Sequence, residues 1–595
     1  MELKRSLFTG FKEKYESEKL YLLFVLIPPI LTLIYMMLFS VSVPVFHDWT
    51  FFSLVSNEHE DSLFKLFFKP QNGQRVIFIN LIYYLFYNLN VFNTKIFLAI
   101  SWCIMCFSLF GLFKIYKTHF NAIKRFIPVS WLFFSFAQTT NLLLSWQITL
   151  NLGMLGIIWT FYFLSTSHPQ KVFYSALFYA LSLFSFANGL VIYPLAIAYF
   201  LLTKSSKKYL WQWISMGGLI TSLFFIGYNS GNTKAISYIL HNILDYINFF
   251  FGLLALPFTT SLPKTSSALI FIAVIIGLTI FVLSVYLLIK HFKSLRGNVF
   301  TYFLLYCFMV AFLISIGRAG NDGVKGAFMS RYYSIVVLCP ISIYLLINSL
   351  PKYKLLKYIQ SLFFFAVITG VALGYGLGLF SGIRSYGNQL QQQSVFLHQN
   401  SIPDKYLNIF YYGKDGVKKN SIYIFKEKIF IANKSKKQML LLPVVPNLGG
   451  KTEEFSNETV QFLTGEGGNI KNLFVRLNPK PIKNNQPIVV EIFKNDDQLC
   501  KTNHKYKDII KTGGIAIKPT KKITCEATDT LKLRISSEKK MDFYITDGFY
   551  TGQLMTSNKS FDDKHLAISL NTTWRYRTYL KFTNVKNYLR YLGIL

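Results

Sequence analysis

The sequence contains few acidic residues. Asp and Glu together number 28 against 62 Lys and Arg, so the formal net charge is +34 at pH 7. Beyond an N-terminal arm that holds four glutamates, the first 384 residues contain only six carboxylates, which are Asp48, Glu58, Glu60, Asp61, Asp245 and Asp322. Acid–base chemistry in this part of the chain must therefore draw on a very small set of side chains.

The basic residues form no recognisable nucleic-acid-binding motif. Many of them lie in short segments between long apolar runs, and such segments are typical of the cytoplasmic loops of membrane proteins. Nucleic acid is therefore not an expected partner, whereas the lipid bilayer is.

Cysteine is also scarce, with six residues in the chain. Four of them lie in apolar runs, where core packing is favoured over redox or metal chemistry even for the Cys-x-x-Cys pair; these are Cys103, Cys106, Cys307 and Cys339. Cys500 and Cys525 lie in the polar C-terminal part. We expect them to form a disulfide in an oxidising compartment, with two free thiols as the alternative.

Long apolar runs dominate the first two thirds of the chain, and 52% of all residues are hydrophobic. A run of about 20 apolar residues can cross a bilayer as a helix. The sequence therefore predicts an α-helical polytopic membrane protein with about 11 spans, near 21–45, 93–113, 126–144, 148–164, 172–187, 190–202, 209–228, 267–289, 298–317, 333–350 and 358–380.

The distribution of Lys and Arg predicts the topology. The arm 1–20 is basic and is expected in the cytoplasm, before a transmembrane domain at 21–384. Two stretches are expected at the outer interface: the aromatic helix 76–91, and residues 229–263, which contain Asp245 and Pro257.

Residues 385–595 contain no membrane-length apolar run. Alternating segments such as LKLRI at 531–535, separated by Gly, Pro and Asn, are typical of β-strands. The sequence predicts a C-terminal, extracytoplasmic, β-sandwich-like domain, because long domains can be translocated despite their positive charge.

Four polar stretches fall on the predicted outer side of the membrane domain. They are Asp48-Trp49 with Asn72-Gly73-Gln74-Arg75, the segment from FSFAQ at 134–138 through Asn141 to Trp146-Gln147, SFANGL at 185–190, and the loop from Arg318-Ala319-Gly320 to Ser330-Arg331-Tyr332. Polar groups within a membrane protein often mark a functional site. Their placement on one side predicts a common cavity.

Each stretch also has a plainer explanation. Asn188-Gly189 is suited to a tight turn, and Asp48 to a solvated helix exit. The side chains of the second stretch could join helices by hydrogen bonds. Arg318 and Arg331 could be ordinary flanking charges, although basic residues are disfavoured in short outer loops.

In order and spacing, these stretches resemble those of bacterial membrane glycosyltransferases of the GT-C type, over about residues 20–380. The pattern of that group has an aspartate after the first helix and an NEHR-like box. An FSxAQ…N…Q stretch, an SxANGL hairpin and an RxG…SRY loop follow. The last three elements match well. Asn72-Gly73-Gln74-Arg75 stands in place of the box, while Asn57-Glu58-His59-Glu60 is closer to it in letters.

The resemblance implies inverting transfer of a sugar from a polyprenyl phosphate or pyrophosphate lipid, on the outer side of the bacterial inner membrane. It assigns Asp48 as the catalytic base, and Arg318 and Arg331 as ligands of the donor phosphate. Tyr332 could hydrogen-bond to the same phosphate. The remaining candidates for substrate contact are Trp49, Arg75, Gln138, Asn141, Gln147 and Asn188.

Alternatives remain for the base, the cofactor and the activity. Asp245, Asp322 and the cluster Glu58–Asp61 are the other candidate bases, and that cluster could hold a divalent cation or be a solvated loop. The expected acceptor is a surface glycan or glycolipid such as lipopolysaccharide O-antigen. An O-antigen ligase or polymerase is the alternative enzyme. A lipid-linked glycan transporter or flippase is less favoured, because the sequence shows no internal repeat and no mid-membrane charges.

Overall fold

The structure is a computed structural model. It describes residues 2–56, 67–68, 70–71, 73–89, 91–228, 242–259, 267–351 and 354–397, and β-strands between 458 and 570. The chain divides into two compact units. Unit 1 contains Met1–Leu38, Glu58–Asn88 and Lys95–Ser381, and unit 2 contains Phe39–Asn57, Leu89–Thr94 and Gly382–Leu595.

Helices dominate the described residues up to 397. They are α1 (Glu2–Phe39), α2 (His47–Ser56), α3 (Ile77–Asn88), α4 (Thr94–His119), α5 (Ile127–Phe133), α6 (Thr139–Leu143), α7 (Ile148–Ser165), α8 (Lys171–Leu183), α9 (Ile192–Leu202), α10 (Lys207–Phe225), α11 (Ile243–Thr259), α12 (Ser267–Lys290), α13 (Phe292–Leu295), α14 (Val299–Asp322), α15 (Tyr333–Val336), α16 (Leu338–Ser349) and α17 (Lys354–Leu397).

Among the described residues, seven helical stretches are long and apolar enough to cross a membrane. They are Glu18–Phe39, Thr94–His119, Ser145–Ser165, Ser267–Lys290, Val299–Asp322, Ser330–Ser349 and Leu356–Tyr386. Each coincides with a predicted span, which confirms a polytopic helical membrane protein. The first span ends at Phe39 and not near 45, because Pro44 disfavours helical backbone at the residue before it.

The other four predicted spans differ from long membrane helices. The span 126–144 is divided into α5 and α6 by the 3₁₀ turn Phe136–Gln138. Helices α8 and α9 have 13 and 11 residues, and a helix of 13 residues is only about 20 Å long at 1.5 Å per residue. Helix α10 has 19 residues but begins with Lys207 and Lys208, which makes it less apolar than the seven.

The two stretches expected at the outer interface are largely helical. Helix α3 confirms the predicted helix at 76–91. The described part of 229–263 is chiefly α11, which carries Asp245 in its first turn and Pro257 near its end. A carboxylate in a first turn is favoured by the helix dipole, so Asp245 does not oppose this helix.

Glycines allow close packing between several helices of unit 1. A Cβ on Gly156 of α7 would lie 2.6 Å from the backbone oxygen of Phe178 and 2.8 Å from the Cα of Ser182, both on α8. Gly277 of α12 approaches the Phe251 backbone of α11 in the same way. Small residues let membrane helices approach until their backbones touch.

Helix α17 presents a row of glycines at intervals of four residues. Gly370 lies against Phe258, Gly374 against Ser135, and Gly378 against the backbone of Phe136. Residues four apart share one helix face. This face therefore receives the irregular backbone between α5 and α6.

Unit 2 contains the segment after α1, helix α2 and the end of α17. The Val41 amide donates to Gln389 Oε1 at 2.8 Å, and Thr94 Oγ1 donates to the Val41 carbonyl at 3.2 Å. The rings of Phe51 and Phe52 pack with Phe92, with ring centroids 6.2 and 4.6 Å away. These contacts fix the non-helical segment 40–46 that precedes α2.

The C-terminal part contains antiparallel strands. The strands are β1 (Glu458–Leu463), β2 (Gly468–Ile470), β3 (Leu473–Arg476), β4 (Asn478–Pro479), β5 (Pro487–Lys494), β6 (Asp497–Lys505), β7 (Ile515–Ile517), β8 (Ile523–Cys525), β9 (Thr530–Ser537), β10 (Phe543–Tyr544), β11 (Met555–Thr556) and β12 (Ala567–Leu570). A five-stranded sheet has the order β11-β1-β9-β5-β6, and smaller sheets pair β10 with β4, β3 with both β12 and β7, and β2 with β8.

Strand β9 confirms the prediction from the alternating LKLRI segment. Helix α17 continues to Leu397, past the predicted domain boundary at 385, while the division into compact units falls at Ser381. The boundary therefore stays a prediction. The sandwich arrangement stays a prediction. The strands that carry Cys500 and Cys525 are described, but their side chains lie outside the described residues, so the disulfide also stays a prediction.

Candidate functional site

Several of the polar stretches meet within unit 1. The Tyr83 ring of α3 packs edge-on against Trp146, with ring centroids 5.9 Å apart. The Tyr228 hydroxyl, just after α10, donates to the Gly73 carbonyl at 2.7 Å. Phe224 of α10 in turn contacts Phe184, four residues before Asn188. These contacts tie parts of three polar stretches to α3 and α10, while the common cavity stays a prediction.

The break between α5 and α6 is stabilised by hydrogen bonds from side chains. A helix that ends inside apolar surroundings leaves carbonyl groups that need donors. Gln138 Nε2 donates to the Phe133 carbonyl at 2.7 Å, and the Tyr333 hydroxyl donates to the Leu132 carbonyl at 2.9 Å. The Phe134 carbonyl accepts from Thr32 Oγ1 at 2.9 Å and from the Tyr375 hydroxyl at 3.1 Å.

Gln138 has a structural role in this network. Its side chain is 1% exposed and its amide is committed to its own backbone. We therefore leave Gln138 out of the proposed substrate contacts, in line with the hydrogen-bonding alternative above. The donors Thr32, Tyr333 and Tyr375 were not identified from the sequence, although the glycine spacing of α17 is a signal that could have indicated its packing partner.

The segment after the break holds the loop that carries Arg331. Thr140 Oγ1 lies 2.5 Å from Ser330 Oγ. Asn141 Nδ2 donates to the Arg331 carbonyl and to Ser334 Oγ, each at 3.0 Å. Asn141 is fully buried, and its Oδ1 has no hydrogen-bond partner among the described residues. The second and fourth polar stretches thus form one structure, with a buried acceptor left over.

Arg331 is oriented by its neighbours. Its Nη2 lies 3.8 Å from Asp322 Oδ2 and donates to the Tyr332 hydroxyl at 3.1 Å. Its guanidinium carbon lies 5.0 Å from the centre of the Tyr332 ring. Its Nε is buried and has no hydrogen-bond partner in the described structure. An unpaired buried donor costs roughly 1–3 kcal/mol, so this nitrogen would gain from an acceptor such as a phosphate oxygen.

Asp322 contacts Arg331 and so has a positioning role. It ends α14 beside Arg331, where its charge orients the guanidinium. Gly323 follows with φ of 60°, a left-handed conformation that glycine adopts without strain. The turn directs the chain back towards α11, against which Ala327 and Phe328 pack at Gly252.

Arg318 lies on the last turns of α14 and is half-buried. Among the described residues, its side chain forms no ion pair or hydrogen bond. It lies four residues before Asp322, so the two side chains share a helix face. Arg318 is thus available to a ligand near the Arg331 loop.

Asn188 lies in the 3₁₀ turn Ala187–Val191, which contacts α7, α8 and α14. A Cβ on Gly189 would lie 2.7 Å from the Leu183 amide nitrogen, so this position requires glycine for close backbone packing. Asn188 Nδ2 is buried with no hydrogen-bond partner among the described residues. The tight turn is therefore present, and it also holds an unpaired donor.

Gln147 and Arg75 have different surroundings. Gln147 is half-buried at the end of the 3₁₀ turn that precedes α7. Arg75 is 4% exposed, its Nη2 donates to the Ile226 carbonyl, and its Nε has no partner in the described structure. Desolvation lowers the pKa of the Arg75 guanidinium, which the nearby Tyr228 hydroxyl opposes. An arginine remains charged at neutral pH, so Arg75 keeps its capacity to bind an anion.

Asp48 lies in unit 2, in the first turn of α2. The sequence analysis placed it at the exit of the first helix, but the eight residues 40–47 lie between it and the end of α1. Its Oδ2 accepts from the Val45 amide at 2.9 Å, while its own amide donates to the Val45 carbonyl at 3.0 Å. Its side chain is fully buried, so the carboxylate has a fixed position.

The turn before Asp48 has an unusual backbone. Phe46 has φ of 49°, which bulky residues rarely adopt. Such conformations are concentrated at functional sites, where the surrounding contacts maintain them. The strain and the reciprocal hydrogen bonds together support a functional role for Asp48.

Trp49 does not offer its ring to a ligand. The residue is fully buried, its indole nitrogen donates to the Pro44 carbonyl at 3.1 Å, and its ring packs on Phe52. The contact of Trp49 with substrate stays a prediction, and in this structure Trp49 holds the turn that carries Asp48.

Several predicted groups fall outside the described residues. They are Asn72 and the cluster Glu58, His59, Glu60 and Asp61, so the proposed cation site there stays a prediction. Within the part of the chain that the structure describes, there is no group of three or more His, Cys, Asp and Glu side chains suited to a metal ion.

Comparison with known proteins gives no identification. The chain matches no known protein-family model, and it has no significant match among curated proteins. Its function must therefore be inferred from its own residues.

Proposed function

We propose that this protein is a glycosyltransferase of the GT-C type that moves a sugar from a polyprenyl phosphate or pyrophosphate donor to a surface glycan. It would reside in the bacterial inner membrane, with residues beyond α17 on the periplasmic side. The observation that carries the proposal is the Arg331 loop. This loop is fixed by Asn141 and Asp322 and has an unpaired donor at Arg331 Nε among the described residues.

A lipid-linked phosphate suits this loop. The Nε and Nη atoms of an arginine form a planar fork that binds two phosphate oxygens at once. The Tyr332 hydroxyl accepts from Arg331, but its own proton remains available to a third oxygen. Arg318 adds positive charge near the same helix end. The proposal assigns these three side chains to the donor phosphate and Asn188 to a polar contact with substrate.

The reaction requires a base and a stabilised leaving group. The acceptor hydroxyl oxygen would attack the anomeric carbon as Asp48 removes its proton, and the bond from that carbon to the phosphate oxygen would break. The lipid phosphate leaves with the bonding electrons, and Arg331 and Arg318 stabilise its added negative charge. Because Asp48 is fully buried in this structure, the covering side chains must move to admit the acceptor.

A comparison of envelope glycans with and without this protein tests the proposal. A transferase predicts the loss of one sugar substituent from an otherwise complete glycan. Loss of all long chains would instead identify a ligase or polymerase. Loss of the substituent with its lipid-linked donor accumulated on the cytoplasmic side would support a flippase, and unchanged glycans would contradict the proposal.

A further inference from the structure

A pocket lies at the opposite end of α14 from the Arg331 loop. Its volume is about 350 Å³, and its lining includes His119, Arg125, Ser294, Asn298 and Asn348. Helix α14 has 24 residues, so its two ends are about 35 Å apart at 1.5 Å per residue. That length spans the hydrocarbon core, so the pocket and the Arg331 loop belong to opposite membrane surfaces.

The pocket is basic. Arg125 lines it, and the three segments that contribute its lining, 114–125, 290–298 and 348–350, contain seven Lys and Arg residues and no carboxylate. Arg125 lies over the Phe120 ring, 5.9 Å from its centre, and its guanidinium has no ion pair or hydrogen bond in the described structure. Positive charge without a nearby carboxylate favours an external anion.

One atom of a buried side chain in the pocket also lacks a hydrogen-bond partner. Asn298 is 5% exposed, and its Oδ1 accepts from the Phe300 amide at 3.0 Å to cap α14. Its Nδ2 has no hydrogen-bond partner among the described residues, although Asn298 lines the pocket. The same helix start carries the positive end of the helix dipole, so an acceptor with negative charge fits this position.

The surroundings of the pocket are suited to lipid. Phe110 lies on the helix that ends at His119 and is 46% exposed. Ile289, just before the second basic segment, is 75% exposed, and Phe292, within that segment, is 48% exposed. Apolar side chains exposed beside lysines are typical of helix ends at the membrane surface. We propose that this pocket binds the phosphate of an anionic phospholipid head group at the cytoplasmic surface, through Arg125 and Asn298.

Binding to the purified full chain in detergent tests the proposal, with phosphatidylglycerol as the probe and native mass spectrometry as the measurement. Arg125→Gln removes the positive charge of Arg125 from the pocket. It should weaken lipid binding by about tenfold or more, because hydrogen bonds to charged groups are stronger than those between neutral groups. Lys208→Gln is the matched control, since it removes one exposed charge outside the pocket. It should leave affinity within about twofold, as expected for an exposed charge away from the site.

Asn298→Asp is the second variant. Aspartate is as good a cap as asparagine, so α14 should keep its start, while the added negative charge should repel the head group. Binding by Arg125→Gln and Asn298→Asp equal to that of the control would overturn the proposal. Displacement of the lipid by millimolar inorganic phosphate, with the same dependence on Arg125, would identify a soluble phosphate as the ligand and overturn the lipid assignment.

Discussion

Arg331 illustrates how a half-buried side chain can hold a buried atom that has no hydrogen-bond partner. Asp322 and Tyr332 fix its guanidinium, and Asn141 fixes its backbone. Yet Nε of Arg331 and Oδ1 of Asn141 have no partner among the described residues. Folding usually pairs such atoms, so a site that leaves two of them unpaired is prepared for a polar ligand.

The first prediction concerns Arg331→Lys. Lysine keeps the charge but lacks the planar fork, so the variant should weaken donor binding by about ten- to a hundredfold, from a loss of roughly 1.5–3 kcal/mol. The measurement is the KM or Kd for the polyprenyl-linked donor with purified protein. Arg296→Lys, near the other end of α14, is the control. Donor affinity that is equal in both variants would exclude the phosphate role.

The second prediction concerns Asp322→Asn. Asp322 acts through Arg331 and not on the substrate, so removal of its charge should loosen the guanidinium and raise the donor KM by up to about tenfold. The kcat should change less, because the catalytic base is intact. An effect on kcat alone would instead show that Asp322 takes part in proton transfer.

At the scale of elements, the helices of unit 1 are held together by close backbone contacts. Side chains also form hydrogen bonds with backbone groups that lack a helical partner where a helix is interrupted. The Ser182 hydroxyl donates to the Gly153 carbonyl at 2.9 Å, which joins α8 to α7. The Tyr35 hydroxyl donates to the Gly378 carbonyl at 2.9 Å, which joins α1 to α17. These polar contacts replace the hydrophobic driving force that is absent between helices in lipid.

The third prediction separates helix propensity from packing. Gly156→Ala should destabilise the protein by about 1–3 kcal/mol through overpacking, because its Cβ would collide with the Phe178 backbone. Gly376→Ala on α17 meets nothing within 4 Å, and it should be neutral or stabilising by about 0.5–1 kcal/mol. The thermal unfolding midpoint of the detergent-solubilised protein measures both. A midpoint for Gly156→Ala at or above that of Gly376→Ala would contradict the α7–α8 contact.

Hydropathy was sufficient to predict the long helices, but not the interruption at 134–138. That run is apolar on both sides of Ser135, and its break depends on donors that lie about a hundred or more residues away, such as Thr32, Tyr333 and Tyr375. The early end of α1 was predictable from Pro44. The link between Asn141 and Arg331 could not be predicted in atomic detail, although the resemblance grouped their two stretches.

At the scale of the whole molecule, charge and hydropathy together define a topology. In the proposed topology, the short basic segments and the lipid pocket belong to one membrane surface, and the Arg331 loop belongs to the other. The few carboxylates lie away from the middle of the helices: Asp48 and Asp245 lie at helix starts, and Asp322 lies at a helix end. Carboxylates within the hydrocarbon would cost about 2.5–3.5 kcal/mol each.

The fourth prediction tests this topology by labelling single cysteines in a background where the native cysteines are serine. Asp497→Cys on β6 should react with a membrane-impermeant reagent added to the periplasmic side. Lys208→Cys, at the start of α10, should react only after the membrane is made permeable. Both positions are exposed. The reverse pattern would invert the proposed orientation and place the Arg331 loop in the cytoplasm.

The central claim is sugar transfer with Asp48 as the base. The measurement is release of polyprenyl phosphate by purified, reconstituted protein, given a panel of polyprenyl-phosphate-linked sugars and an acceptor glycan. The wild type should release lipid phosphate only with acceptor present, and Asp48→Asn should be about 10²- to 10⁴-fold slower with unchanged donor KM. Turnover by Asp48→Asn close to that of the wild type would contradict this account of the mechanism. If no donor in the panel gave acceptor-dependent release of lipid phosphate, the proposed activity would be contradicted.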